Sequence, residues 1–327
     1  MDNAPMWIGT AFALAAGLMW GLVFVGPLLL PEYPATLQSF GRYLAFGLIA
    51  LPLGWLDRQR LRGLSRSDWR EALRLALVGN VIYYLFLSAA IQRAGGPLPT
   101  MIIGTLPVVI AITSNLRDAR RDGKLPWGQL LPSLLLIAAG IGCVNQVELA
   151  ALQADPDADF ARYATGALLA VGAVVCWTWY PLRNAGWMRA HPDRSPRTWA
   201  TAQGLATLPL ALVGYAVTWL VMGLSGSDFD LPLGPRPLFF VGLMATIGLL
   251  ASWLGTLCWN EASQRLPTTV AGQLIVFETL AALSYAFILR GHPPGPVTLL
   301  GVALLVVGVL SALRARPEPL VAQAHPD

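Results

Sequence analysis

The stretch Trp7–Leu30 reads WIGTAFALAAGLMWGLVFVGPLLL and carries no charged side chain. A helix of about 20 apolar residues is long enough to cross the ~30 Å hydrocarbon core of a bilayer. Blocks of the same kind recur along the chain, and the charged residues collect between them. The sequence is 55% hydrophobic and 12% charged, with a mean hydropathy of +0.58, whereas soluble domains have roughly 25% charged residues. The sequence therefore predicts a polytopic membrane protein, and the lack of two-residue alternation within the blocks argues against a β-barrel.

The apolar blocks predict an all-α fold of ten transmembrane helices. Several tryptophans fall near the ends of the blocks, where we expect them to anchor the helices at the membrane interface. These anchors are Trp7, Trp55, Trp127, Trp199, Trp219 and Trp259. The predicted spans are 7–30, 36–56, 70–91, 98–116, 126–146, 163–181, 198–222, 237–259, 267–289 and 296–313.

Basic residues indicate the orientation in the membrane. Of the 22 lysines and arginines, 16 lie in loops and tail on the side of the N-terminus, and 4 lie in loops on the other side. Because cytoplasmic loops are enriched in Lys and Arg, we expect both termini to be cytoplasmic. The basic charge then reports membrane orientation, and no nucleic-acid partner is expected.

An internal repeat divides the chain. GTAFALAAGLMW at 9–20 resembles GALLAVGAVVCW at 166–177, and AIQR at 90–93 resembles ASQR at 262–265. We predict a first five-helix repeat at 1–150, a second at 160–316 and a cytoplasmic tail at 317–327. Five spans per half force opposite orientations, and inverted repeats place a substrate site between the halves near the midplane. A purely structural pseudosymmetry is the alternative interpretation.

Polar and aromatic side chains within the spans predict the binding site. Aromatic rings with a polar edge, together with neighbouring amides, suit an amphipathic ligand. No histidine lies in a span and the three cysteines are far apart, so we expect neither a metal nor a cofactor. The candidate substrate-binding residues are Trp20, Asn80, Tyr83, Tyr84, Met101, Thr105, Trp177, Tyr180, Trp253, Gln273, Phe277 and Glu278.

Two charged residues within spans have open interpretations. Glu278 lies near the centre of a span, where it could carry a proton, hold a substrate amine or serve as a structural carboxyl. Arg42 lies about six residues into the second span. It could pair with a carboxylate substrate or with Glu32, but we expect its side chain to reach the interface, as arginines near helix ends do.

The sequence resembles the drug/metabolite transporter superfamily, in particular its EamA-type ten-helix carriers. The resemblance rests on the small-residue stretch ending at Trp20, on RYLA at 42–45 and on GTLPV at 104–108. Within that group it is most similar to bacterial aromatic amino acid exporters of the YddG type. The resemblance implies export of aromatic and other neutral amino acids by alternating access, in the inner membrane of a bacterium.

Other functions are weighed against this one. Drugs, purines and sugar phosphates are alternative substrates, although a phosphate favours several embedded Lys or Arg. An intramembrane enzyme lacks its motifs, since no aspartate or histidine lies in a span and no HExxH occurs. A neutral channel is harder to exclude, although no filter-like repeat is visible. The expected partners are a small-molecule substrate and the lipid bilayer, and a monomer is compatible with the sequence.

Overall fold

A computed structural model describes residues 6–95, 97–117, 126–154, 159–291 and 293–312. Throughout these ranges the regular structure is helical, which confirms the predicted all-α class. The helices are α1 Met6–Leu29, α2 Ala35–Leu56, α3 Arg58–Arg62, α4 Arg66–Ala94, α5 Pro97–Ile103, α6 Leu106–Arg117, α7 Trp127–Gln153, α8 Phe160–Ala190, α9 Pro196–Leu224, α10 Pro237–Arg265, α11 Thr268–Leu274, α12 Val276–Arg290 and α13 Pro296–Ala312.

Membrane-length helices dominate the described part of the chain. Seven helical stretches within it are long and apolar enough to cross a bilayer, and shorter apolar helices occur at Trp127–Cys143 and Pro296–Gly308. The protein is therefore a polytopic helical membrane protein. Each of the ten predicted spans falls on helical residues, while the count of ten crossings and the inverted repeat stay predictions. The predicted tail at 317–327 lies outside the described residues.

The helices pack mainly across the two predicted halves. Helix α1 contacts α10 and α12, α2 contacts α9, α4 contacts α8, and α7 contacts α13. The last pair approaches closely because Gly140 faces the backbone of Gly301, and Gly308 faces the backbone of Ser133. Small residues allow such close backbone approach in membrane helices, where lipid supplies little hydrophobic driving force for association.

Two helices contain a π-helical turn in the interior of the bundle, and two pairs of consecutive helices meet there at a break. A π-helical turn occupies Ala76–Ile82 of α4, and another occupies Gly248–Leu254 of α10. The break between α5 and α6 has a sequence cause, since Pro107 lacks the N–H that would continue the helix. The break between α11 and α12 at Ile275 has no proline. At this break the backbone N–H of Glu278 donates to the carbonyl of Ile275, three residues earlier, at 2.9 Å. Irregular turns of this kind recur at functional sites.

The bundle has two ends, which we call the basic face and the opposite face. The basic face contains residues 57–65 and 191–195, and the opposite face contains residues 30–34 and 225–236. At the basic face, Ser65 and Asp68 begin α4 with a reciprocal capping box, in which each side chain accepts a backbone N–H of the other. The same Asp68 is ion-paired with Arg194 at 3.6 Å.

Polar contacts join the predicted halves at both faces. At the basic face, Arg183 donates to both carboxylate oxygens of Glu71, at 2.5 and 3.0 Å. At the opposite face, Arg236 donates to Glu32 at 2.6 Å and to the carbonyl of Leu29 at 2.7 Å. Each of these contacts links a residue before 150 to one after 160, so polar contacts join the two predicted halves at both ends of the bundle.

The expected tryptophan anchors divide into two groups. Trp7, Trp55, Trp127 and Trp219 are exposed on the outside of the bundle, as interfacial residues are. Trp199 and Trp259 are buried, and for these two the expectation was wrong. Trp199 stacks on Trp187 with a centroid distance of 3.4 Å and donates its indole N–H to Asn184. Position near a span end does not separate an anchor from a residue that faces a neighbouring helix.

Candidate functional site

Four of the predicted site residues meet in one aromatic cluster inside the bundle. Trp177 of α8 stacks with Tyr83 of α4 at 4.5 Å and with Tyr180 of its own helix at 5.0 Å. Trp20 of α1 meets Trp177 edge to face at 5.0 Å and also contacts Trp259 of α10 at 5.3 Å. We call these five residues the aromatic centre. Its members come from four helices, two in each predicted half.

The π-helical turn of α4 places Gly79 against this centre. A Cβ atom at Gly79 would lie 2.0 Å from Cδ2 of Tyr180, a distance that no packed side chain tolerates. Only glycine therefore lets α4 approach the ring of Tyr180 so closely.

Glu278 supplies a carboxyl group beside the aromatic centre. It is 1% exposed, and its Oε2 accepts a hydrogen bond from Nε1 of Trp177 at 3.2 Å. Oε1 of Glu278 and the hydroxyl of Tyr83 are both buried, and neither has a hydrogen-bond partner within the described structure. Buried polar groups are normally paired, so these two unpaired atoms are unusual and mark this part of the bundle as a candidate binding site.

Arg42 lies in the interior, so the expectation that it reaches the interface was wrong. It is 4% exposed, and its Nε donates to Oγ of Ser252 in the π-helical turn of α10 at 3.0 Å. Its guanidinium lies over the rings of Tyr84 at 4.4 Å and Tyr43 at 4.9 Å. Glu32, the other partner considered, pairs with Arg236 instead. Cation–π contacts and a hydroxyl acceptor hold the charge inside the bundle.

A buried hydrogen-bond network runs from the aromatic centre toward the basic face. Tyr180 donates to Oε1 of Gln203 at 2.8 Å, and Gln203 donates to Oδ1 of Asn184 at 3.1 Å. Asn184 in turn donates to Oδ1 of Asn260 at 2.7 Å. Asn80 joins the network through Thr207, to which it donates at 3.1 Å. Such a chain of satisfied amides fixes α8, α9 and α10 relative to one another.

The other predicted residues lie farther from the aromatic centre or cannot be placed. Tyr84 lies beneath Arg42 and donates its hydroxyl to the carbonyl of Val23, while Trp253 donates to Thr201. Thr105 bonds the carbonyl of Ile102 at the break between α5 and α6, and Phe277 is half-buried at the start of α12. The side chains of Met101 and Gln273 lie outside the described structure.

Asn184, Gln203 and Asn260 also lie beside the aromatic centre, although they were not among the residues predicted from the sequence. Each is an uncharged polar residue in a long apolar helix, and an amide in hydrocarbon must find a partner. The free-energy cost of an unpaired amide in hydrocarbon could have identified these three residues from the sequence, and the same argument applies to Asn80. Trp259 was also assigned elsewhere, because its position near a predicted span end suggested an interfacial role.

The fold defines a polytopic helical membrane protein, and the aromatic centre is a buried polar and aromatic cluster inside its helix bundle. Residues 7–145 match the model of the EamA-like transporter family. Over 310 residues the chain is 59% identical to the "Inner membrane protein YtfF" of Escherichia coli (strain K12), covering 95% of this chain and 96% of that relative. It is 25% identical to the "Uncharacterized transporter YwfM" of Bacillus subtilis (strain 168), covering 97% of each. The chain therefore belongs to the EamA-like transporter family.

A solved crystal structure shares the fold. It superimposes with a TM-score of 0.67 at 17% identity, and the match covers 93% of this chain and 96% of the other. Together with the relatives, the family identifies a multi-pass inner membrane transporter of the drug/metabolite transporter superfamily, and it points to transport rather than catalysis.

Proposed function

We propose that this protein exports aromatic and other neutral amino acids by alternating access, as the YddG-type exporters it resembles are expected to do. The observation that carries the proposal is the aromatic centre with Glu278 beside it. Stacked indole and phenol rings provide flat apolar surfaces for an aromatic side chain. The buried carboxyl and hydroxyl beside them can bind a polar head group.

Alternating access is supported by the paired irregularities of the helices. The π-helical turns of α4 and α10, and the breaks after α5 and α11, occupy corresponding places in the two predicted halves. In transporters built from inverted repeats, interrupted helices at corresponding places surround the substrate site. In this mechanism the Arg183–Glu71 contact at the basic face and the Arg236–Glu32 contact at the opposite face break in different steps, so that the interior opens to one side at a time.

The proposed orientation follows from the charge distribution. Arg58, Arg60 and Arg62 belong to the basic face, which by the positive-inside rule faces the cytoplasm. Export then means that substrate enters from the basic face and leaves through the opposite face.

Other small metabolites are the alternative substrates, and the aromatic centre favours purines and aromatic drugs among them. A purine has the same flat π surface as an indole. Sugar phosphates are less suited, because Arg42 is the only Lys or Arg buried within the described ranges. The side chain of Arg74, the other arginine near a span, is 64% exposed and ion-paired with Glu71.

Uptake into proteoliposomes tests the proposal. Labelled phenylalanine, threonine, a purine and a sugar phosphate are compared with empty liposomes, with and without a pH gradient. We expect saturable phenylalanine uptake and weaker threonine uptake. No amino acid uptake, or purine uptake alone, contradicts the amino acid assignment.

The same vesicles test proton coupling through Glu278. If this carboxyl carries the coupled proton, Glu278→Gln abolishes any stimulation by the pH gradient. A gradient effect that survives in Glu278→Gln assigns coupling to another group.

A further inference from the structure

We infer that Arg42 and Glu278 divide the recognition of a zwitterion, with the substrate carboxylate at Arg42 and its ammonium group at Glu278. The inference rests on the proposed function, because it specifies how the amino acid head group is bound. It makes the substrate class α-amino acids with both charges, as distinct from amines or carboxylic acids of the same shape.

Arg42 presents one unused donor in the interior. Its Nε is engaged by Ser252, and its flat faces lie against Tyr43 and Tyr84. Its Nη1 is buried and has no hydrogen-bond partner in the described structure. The Nε bond and the two ring contacts fix the position of the guanidinium. Nη1 then has N–H groups that can donate to an anion. A carboxylate is the acceptor that matches guanidinium geometry best.

Glu278 presents one unused acceptor in the same way. Trp177 fixes Oε2, while Oε1 has no partner and the whole residue is buried. An ammonium group carries three donors and no acceptor, so it can bind Oε1 and also donate to the neighbouring hydroxyl of Tyr83. That hydroxyl is likewise buried and unpartnered within the described residues.

Arg42 and Glu278 bind other residues in place of each other: Arg42 donates to Ser252, and Glu278 accepts from Trp177. Arg42 Nη1 and Glu278 Oε1 are both buried without a hydrogen-bond partner in the described structure, and leaving such a buried polar atom unpaired costs about 1–3 kcal/mol, or more when the group is charged. A direct salt bridge would satisfy both, and the described ion pairs of Glu71, Asp68 and Glu32 show that this fold makes such bridges elsewhere. A zwitterion between the two groups satisfies each charge with the opposite one, whereas an amine or an acid satisfies only one.

The aromatic centre determines the orientation of the substrate between Glu278 and Arg42. Trp177 both stacks with Tyr83 and holds Glu278, so a ligand whose ammonium group reaches Glu278 has its side chain beside these rings. Arg42 lies on the side of Tyr84, the residue next to Tyr83 on α4. The carboxylate therefore points toward α2 and α10.

Competition with three matched ligands tests the assignment. Phenylalanine has both charges, phenethylamine lacks the carboxylate and 3-phenylpropionate lacks the ammonium group. Each competes with labelled phenylalanine for wild type, Arg42→Gln and Glu278→Gln in proteoliposomes. Arg93→Gln, which changes an exposed arginine bonded to the carbonyl of Ala89 in its own helix, is the matched control. Thermal unfolding of each purified variant shows whether it is folded.

For the wild type we expect phenylalanine to compete at least roughly tenfold better than either analogue, since a hydrogen bond to a charged group accounts for about that factor. Arg42→Gln should remove the preference over phenethylamine, and Glu278→Gln should remove the preference over 3-phenylpropionate. If either variant is unfolded, Tyr83→Phe provides a second test, because it should weaken phenylalanine and phenethylamine but not 3-phenylpropionate.

The outcomes separate this inference from the proposed function. Absence of phenylalanine transport by the wild type overturns the function and the inference with it. Phenylalanine transport in which folded variants lose affinity for all three ligands equally overturns the inference alone. The same holds if the wild type accepts both analogues as well as phenylalanine.

Discussion

Trp177 donates its indole N–H to Oε2 of Glu278 over 3.2 Å, and the same indole stacks on Tyr83 at 4.5 Å. One side chain therefore orients the buried carboxyl and provides part of the apolar surface beside it. Because Tyr83 belongs to the first predicted half and Glu278 to the second, this contact lies where the two halves meet. A substitution of Trp177 should therefore alter both the aromatic surface beside Tyr83 and the position of the Glu278 carboxyl.

Trp177→Phe separates these two roles. The phenyl ring keeps much of the stacking surface but has no N–H, so Glu278 loses its hydrogen bond in a buried place. Leaving a buried polar group without its hydrogen bond costs about 1–3 kcal/mol, so we expect phenylalanine affinity to fall by roughly tenfold. The measurement is the concentration dependence of uptake. Trp55→Phe, at an exposed tryptophan, is the control, and equal affinities in the two variants would contradict the role of this contact.

Gly79→Ala tests the close approach of α4 to the aromatic centre. The added methyl group would lie 2.0 Å from the ring of Tyr180, so the ring or the helix must move. Overpacking of this kind costs about 1–3 kcal/mol, and we expect both a lower unfolding temperature and slower transport.

Gly186→Ala provides the matched control, because nothing lies within 4 Å of a Cβ at that position of α8. Alanine favours a helix over glycine by up to about 1 kcal/mol, so this variant should be as stable as wild type or more so. Equal behaviour of the two glycine variants in thermal unfolding would rule out the tight contact.

Asn184→Leu tests the buried amide network. Asn184 accepts hydrogen bonds from Trp199 and Gln203 and donates to Asn260, so its removal leaves three buried groups without a partner. Each such group costs about 1–3 kcal/mol, and we expect a large drop in unfolding temperature in detergent. Thr165→Ala, which removes an exposed side chain bonded within its own helix, should have little effect. A small change for Asn184→Leu would mean that the network does not stabilise the fold.

The two faces should open independently. Arg183→Gln removes the bidentate pair with Glu71 at the basic face, and Arg236→Gln removes the pair with Glu32 at the opposite face. A cysteine at buried Ser252, with Cys143, Cys176 and Cys258 replaced by alanine, reports access by a membrane-impermeant thiol reagent.

We expect Arg183→Gln to raise labelling from the side of the basic face and Arg236→Gln to raise it from the other side. Labelling that rises from the same side in both variants would contradict closure at two faces.

The apolar blocks allowed the helices to be predicted because a membrane leaves the chain few other structures. The break in the fourth predicted span has a cause in the sequence, since Pro107 lacks the N–H that would continue the helix. The break at Ile275 was not predicted, because no proline marks it in the sequence. Hydropathy locates a residue along a helix but not around it, which is why Trp199 and Trp259 were assigned to the interface.

Some members of the aromatic centre could be chosen from the sequence, because polar and aromatic residues are unusual within apolar spans; whether they bind substrate stays a prediction. Trp20, Tyr83, Trp177 and Glu278 were chosen as polar or aromatic residues within spans, and the structure brings them together. Arg42 was misplaced because its burial depends on Ser252, which lies 210 positions away in the sequence. Asn184 was overlooked because its partners belong to two other helices. Pairings over such distances come from tertiary packing, and a single sequence does not show them.

The most direct test of the central claim is equilibrium binding of labelled phenylalanine to purified wild-type protein and to Trp177→Ala, both checked for folding by thermal unfolding. We expect saturable binding to the wild type and a loss of affinity of roughly tenfold or more in the variant, since truncating a buried tryptophan removes both stacking and a hydrogen bond. Equal binding by the two folded proteins would place the substrate site away from the aromatic centre.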